Sequence, residues 1–242
     1  MKAIIGGTGV DHISGFQGER RQIDTPYGSA EVFVGTGKDA WLAFLPRHGS
    51  GHSVPPHLIN YRANISALKG LGVDEVITIY AVGSVSEALR PEEVGTIADF
   101  ADLSGGGRAH TFFTGDEQGV VHVGMDRAFD PELTDALHAH EPNLKDAGVY
   151  VCTNGPRLET PSEIRMFRTL GFDVVGMTAA TEVALAREAG LKIASLAYSI
   201  NWAAGVGPDE VTFITDDTIA RLKDSMTRLC MDVLEERLVA LP

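Results

Sequence analysis

Six places along this 242-residue chain set glycine and hydrogen-bonding groups directly after a short apolar run. They are Gly6-Gly7-Thr8-Gly9, the stretch 46–52 with Arg47, His48 and His52, Ala81-Val82-Gly83-Ser84, the stretch 154–160 with Glu159, Gly176-Met177-Thr178, and Asn201. Ligands of open α/β sheets bind beyond the carboxyl ends of strands. If the apolar runs are strands, these groups are candidates for one site.

Their chemistry falls into two halves. Thr8, Arg47, His48, the Ala81 backbone and Thr178 combine one fixed positive charge with several neutral donors. An arginine fork matches phosphate oxygens, and the N–H groups of a glycine loop wrap a small oxyanion. Such a pocket suits inorganic phosphate. Ordinary readings stay open: a tight turn for the glycine loop, and a surface arginine beside a histidine that satisfies a turn. The loop falls short of a dinucleotide fingerprint, because His12 stands where the third glycine belongs. His48, His52 and His57 crowd one stretch, but their spacing fits no zinc signature and no acidic or thiol ligand accompanies them. No metal is expected.

Glu159 and Asn201 make the second half. A carboxylate accepts hydrogen bonds, while an amide both donates and accepts. Together they can read a purine with a carbonyl at C6: N1–H to Glu159, O6 from the Asn201 amide N–H, and N7–H to its carbonyl. A 6-aminopurine has no N1–H for the glutamate. Singly, each residue has a plainer explanation, Glu159 as a complement to a helix dipole and Asn201 as a turn former before Gly205.

The elements that must position these groups are legible as periodicity. Apolar, β-branched runs at 2–5, 32–34, 41–45, 76–80, 96–98, 149–153, 174–175 and 193–200 predict strands. Three-and-four spacing at 58–71, 131–140, 161–170, 181–189 and 216–238 predicts helices, and Gly72, Gly171 and Gly190 follow three of them as C-caps. The alternation predicts an α/β/α sandwich with a mixed central sheet, a single domain over 1–242. The stretch 104–119 is either a loop or a segment ordered by a partner. A formal charge of −13 argues against nucleic acid and anionic membrane surfaces, and no apolar run approaches a membrane span. Cys152 and Cys230 match no metal or redox spacing, and nothing at the start resembles a cleavable signal. Reduced thiols in a cytoplasmic protein are expected.

As a set, the motifs resemble the purine nucleoside phosphorylase and methylthioadenosine phosphorylase family. The resemblance covers nearly the whole chain: Ile4-Ile5-Gly6-Gly7-Thr8-Gly9, Asp24-Thr25-Pro26-Tyr27-Gly28, Arg47-His48-Gly49, Asn60-Tyr61-Arg62-Ala63-Asn64, the run from Asn154 to Thr160, and the run from Gly176 to Glu182. It implies a homotrimer that phosphorolyses a nucleoside with inorganic phosphate as co-substrate and no organic cofactor or metal. Carried onto this chain, Thr8, Arg47, His48, the Ala81 backbone and Thr178 would hold phosphate, Leu158 and Met177 the sugar, and Glu159 and Asn201 the base. Asn201 and His48 would act in catalysis, and His122 would reach a neighbouring subunit's site. Tyr80 departs from the threonine or asparagine common in the family. With Asn201, Ala203 and Glu159 at the positions that distinguish the branches, the resemblance leans to 6-oxopurine substrates and to the methylthioinosine branch. No histidine follows Asn201, whereas Val206, Val211, Phe213 and Ile214 offer apolar surface for a methylthio group. A nicotinamide-dependent oxidoreductase, a non-catalytic purine or phosphate binder and a nucleoside hydrolase are the competing readings.

Overall fold

β1 (Lys2–Gly6) is buried at every residue, as a strand covered on both faces must be. A computed structural model describes residues 1–51, 53–115, 119–207 and 210–239, without the side chain of Val239. Beyond β1 the elements run β2 (Gly18–Thr25), β3 (Gly28–Gly35), β4 (Leu42–Pro46), α1 (Tyr61–Gly70), β5 (Glu75–Ser84), β6 (Val94–Thr96), β7 (Asp99–Asp102), α2 (Pro131–His140), β8 (Lys145–Asp146), β9 (Val149–Cys152), α3 (Pro161–Thr169), β10 (Val174–Gly176), α4 (Ala179–Glu188), β11 (Lys192–Trp202) and α5 (Asp216–Val239). The strands join in one mixed sheet, ordered β2-β3-β4-β1-β5-β10-β9-β7, with β11 paired to β5 and to β6.

Alternating side chains divide the core between the two faces. Ala3, Ile5, Val76 and Tyr80 pack with α1 and α4, whereas Ile4, Ile77, Ile79 and Tyr198 pack with α2 and α5. The α/β/α sandwich with a mixed sheet is therefore the observed architecture. Gly72, Gly171 and Gly190 all take positive φ at the ends of their helices, as C-caps do. The helix expected from residue 58 begins at Tyr61, after a 3-10 turn over Pro56–Leu58, where the Asn60 side chain accepts the Ala63 N–H at 3.1 Å. The strand expected at 96–98 lies at Val94–Thr96. Three strands, β2, β7 and β8, had no periodic apolar signal: β2 reads Gly-Glu-Arg-Arg-Gln-Ile-Asp-Thr and is largely exposed at the sheet edge. Among the described residues, no helix is long and apolar enough to cross a membrane. Cys152 and Cys230 are buried free thiols, and burial pushes the Cys152 thiol up to about 12.

β5 positions the site. It pairs in parallel with β11 along its length, in parallel with β1 over Glu75 to Thr78, and antiparallel with β10 at Gly83 and Ser84. β1 and β10 thus run toward each other along the same strand. Their carboxyl ends, Gly6 and Gly176, converge opposite the middle of β5, around Ile79 to Val82.

Candidate active site

A cavity of about 370 Å³ opens at this convergence. Thr8, Arg47, His48, Ala81, Leu158, Glu159, Met177, Thr178 and Asn201 all line it. Both halves anticipated from sequence therefore share one cavity. His122 is exposed and does not line the cavity. His52 lies outside the described residues, and among those described no group of three or more His, Cys, Asp and Glu side chains is placed to hold a metal ion.

The anion half differs from the expectation of an open arginine fork. Arg47 is buried and donates through Nε and Nη2 to the two oxygens of Glu182 at 2.7 and 2.8 Å, through Nη2 also to Thr78 Oγ1 at 2.5 Å, and through Nη1 to the Ile79 carbonyl at 3.0 Å. A guanidinium has five N–H donors. These bonds occupy four and leave one on Nη1. Burial acts against the Arg47 charge, but the Glu182 carboxylate outweighs it and raises the guanidinium's pKa above its ordinary value. The cavity thus receives a neutralised pair with one donor left over, not a bare cation. Tyr80 lies outside the cavity lining: its hydroxyl donates to Glu182 at 2.8 Å and its ring lies 4.5 Å from the Arg47 guanidinium carbon. Glu182 sits inside the quoted motif from Gly176 to Glu182, but its partner across the fold was not readable from spacing.

Gly7 is packed directly on that guanidinium. A Cβ there would lie 2.3 Å from Arg47 Nη1 and 2.8 Å from the Ile79 carbonyl oxygen. Gly7→Ala should therefore destabilise the fold by about 1–3 kcal/mol through overpacking. Relief requires moving either the loop or Arg47, and urea unfolding measures the loss.

Each remaining anion-side residue is held by its own anchor. The Tyr198 hydroxyl donates to the Thr8 carbonyl, fixing the glycine loop. His48 Nδ1 lies 2.8 Å from the Val54 carbonyl, so that nitrogen must be the donor and the ring orientation is set. The Thr178 N–H donates to the buried Tyr150 hydroxyl at 3.2 Å.

In the other half, a β-bulge precedes Asn201 near the end of β11. The register with β5 runs Ser199 to Val82 and then Asn201 to Gly83, so Ile200 is the extra residue. A bulge interrupts alternation and re-aims the next side chain. Asn201 is buried and lines the cavity, and its Nδ2 donates to the Trp202 carbonyl at 2.8 Å. That bond fixes the amide with Oδ1 as an acceptor and one further N–H as a donor. Glu159 receives the Thr153 hydroxyl on Oε1 at 2.6 Å, which leaves Oε2 for another donor. Of the four apolar residues expected near the sugar's 5′ end, Val211 and Phe213 line the cavity. Val206 packs instead against the cluster containing Val175 and Ala203, and Ile214 donates its N–H to the Ile200 carbonyl at 2.9 Å.

A family model of the phosphorylase superfamily matches residues 2–235. The chain belongs to the phosphorylase superfamily. Its relatives include a 6-oxopurine nucleoside phosphorylase of Pyrococcus furiosus, 39% identical over 99% of this chain and 91% of the relative. A protein of Methanothermobacter thermautotrophicus named "Probable S-methyl-5'-thioinosine phosphorylase" is 41% identical over 97% of this chain and 82% of its own. Among solved structures, the ligand-free methylthioadenosine phosphorylase of Schistosoma mansoni superposes with a TM-score of 0.89 at 29% identity, covering 99% of this chain and 92% of that one. The resemblance read from the motifs is borne out, and with it the nucleoside phosphorylase fold and a place among the pentosyltransferases of this superfamily.

Proposed function

We propose that this phosphorylase cleaves 6-oxopurine nucleosides with inorganic phosphate, S-methyl-5′-thioinosine foremost, to give hypoxanthine and 5-methylthioribose 1-phosphate. The observation that carries the reading is the fixed amide of Asn201, whose Nδ2 bond to Trp202 presents one acceptor and one donor to the cavity. O6 of a 6-oxopurine, and N7 once it is protonated as the base departs, complement that pair, and N1–H complements the open oxygen of Glu159. The names of the relatives support the same class of base.

Cleavage of the glycosidic bond leaves an oxocarbenium-like sugar and puts negative charge on the departing purine. As the departing base takes up a proton at N7, Asn201 Oδ1 would accept that N7–H while its remaining Nδ2–H donates to O6, where negative charge develops. Phosphate would be held by the glycine loop, Thr8, the remaining Arg47 donor, His48, the Ala81 backbone and Thr178, and would attack C1′ from the face opposite the base. Leu158 and Met177 would flank the sugar. No covalent enzyme nucleophile is required, so orientation supplies much of the rate. The reading includes a homotrimer in which His122 approaches a neighbouring copy's cavity; sedimentation and the nucleoside KM of His122→Ala test that part.

The deciding assay is release of hypoxanthine from methylthioinosine and inosine, and of adenine from methylthioadenosine, each with and without phosphate. Phosphate-dependent hypoxanthine release, fastest from methylthioinosine, is expected; phosphate-independent release or preferential adenine release would overturn the reading. Val211 and Phe213, which line the cavity, would supply the apolar 5′ wall. Replacing Val211 with asparagine should lower kcat/KM for methylthioinosine by about tenfold, the effect of spoiling one apolar contact, while changing inosine by less than about threefold.

A further inference from the structure

The stretch 104–119 contains three consecutive glycines, Gly105 to Gly107, and then Arg108. No regular structure covers its described part, yet Arg108 is buried. Its guanidinium spends all five donors, four of them on the loop after β9 and the residue after β10. Nε donates to Asn154 Oδ1 at 3.1 Å, Nη2 to the Thr153 and Asn154 carbonyls at 3.1 and 2.6 Å, and Nη1 to the Met177 carbonyl at 2.6 Å. The last Nη1 donor lies 3.5 Å from the Tyr61 hydroxyl.

These acceptors are not incidental. Thr153 is the residue whose hydroxyl orients Glu159, Asn154 opens the loop that leads to Leu158, and Met177 carries the side chain beside the sugar. Two separate segments, the loop after β9 and the residue after β10, are thereby fixed to one planar group. The rest of the stretch is tethered elsewhere: Glu188, at the far end of α4, accepts the Thr111 hydroxyl and the Phe112 N–H, each at 2.7 Å. The anion-side anchors, Tyr198 on Thr8, Val54 on His48 and Tyr150 on Thr178, do not involve Arg108.

We infer that Arg108 is a positioning residue for the nucleoside half of the site, setting Glu159, Leu158 and Met177 relative to the sugar and base while leaving phosphate binding to other anchors. This rests on the function proposed above. A planar fork with five donors can serve such divergent carbonyls, whereas a lysine ammonium has three donors and no plane.

The experiment measures kcat and KM for methylthioinosine at saturating phosphate, and KM for phosphate at saturating nucleoside, in the wild type, Arg108→Ala and Arg108→Lys, below the melting temperature of each. Displacement of positioning groups by about an ångström costs on the order of a hundredfold in rate constants. Arg108→Ala should therefore lose about that much kcat/KM for nucleoside, through kcat as well as nucleoside KM, while phosphate KM changes far less, because Thr8, Arg47 and His48 keep their own anchors and only Thr178, whose N–H shares a peptide with the Met177 carbonyl, is touched. Arg108→Lys should show the same split to a smaller degree, and it carries the test alone if the alanine variant does not fold. Equal increases in both KM values, or a lowered melting temperature with unchanged kinetics, would overturn the assignment while the proposed reaction stands. A wild type that releases no base in the presence of phosphate would overturn both.

Discussion

Replacing Arg47 with alanine is expected to cost about 3–5 kcal/mol of stability, because it leaves the Glu182 carboxylate buried without its cation. The pair is sealed: both side chains are 1% exposed, and Thr78 and Tyr80 add hydroxyl donors to the same carboxylate. For a chain of this size, 1 kcal/mol shifts the melting temperature by roughly 2–4 °C, so a fall of about 10 °C is anticipated. The loss of phosphate saturation in this variant would by itself be ambiguous, since a loosened core also loosens the glycine loop resting on Arg47. A second variant separates the two. Arg47→Met combined with Glu182→Leu removes both charges and retains bulk, and apolar replacement of a buried pair can be close to neutral. The double variant should recover at least half of the lost stability in urea unfolding while still needing at least about tenfold more phosphate for half-saturation, the worth of a charge-assisted hydrogen bond. Recovery of both stability and phosphate saturation would mean that the leftover Nη1 donor is not part of the anion pocket.

That pair also shows where sequence reading stops. Arg47 was recognisable as a strand-end cation, and its placement in the cavity follows from β4 running beside β1. Its neutralisation was not recognisable, because Glu182 lies 135 residues away on a helix reached only through the sheet topology. The same limit explains Arg108, which follows glycines and lies in no periodic element. Strands with alternating or continuous apolar residues were readable, whereas β2, whose residues face solvent, carried no such pattern. Asn201 was readable as an amide at a strand end, but the bulge that turns it into the cavity depends on pairing with β5, a non-local property. Local chemistry marked the site residues; long-range pairing decides which donors they have left.

Asn201→Asp tests that residual donor inventory directly. The asparagine Nδ2 donates to the Trp202 carbonyl at 2.8 Å. An ionised aspartate would set an oxygen against that carbonyl, two acceptors facing each other, so the variant should hold a proton there and donate it to Trp202. The oxygen that replaces Nδ2 then has only lone pairs left for the base. A 6-oxopurine would face that acceptor with O6 unpaired, whereas a 6-aminopurine would donate its exocyclic N–H to it. Loss of the donor that follows the charge developing on the departing base should lower kcat/KM for methylthioinosine by about 10²- to 10³-fold. The ratio of methylthioinosine to methylthioadenosine turnover should fall, although Glu159 still asks for an N1–H and keeps the switch incomplete. Any adenine release by the variant should be present at low pH and decline as pH rises through the aspartate's pKa, since the protonated form is the competent one. Base release measured across pH for both nucleosides checks the claim. An unchanged substrate ratio would show that the amide does not read the base and that its bond to Trp202 serves only to close the end of β11.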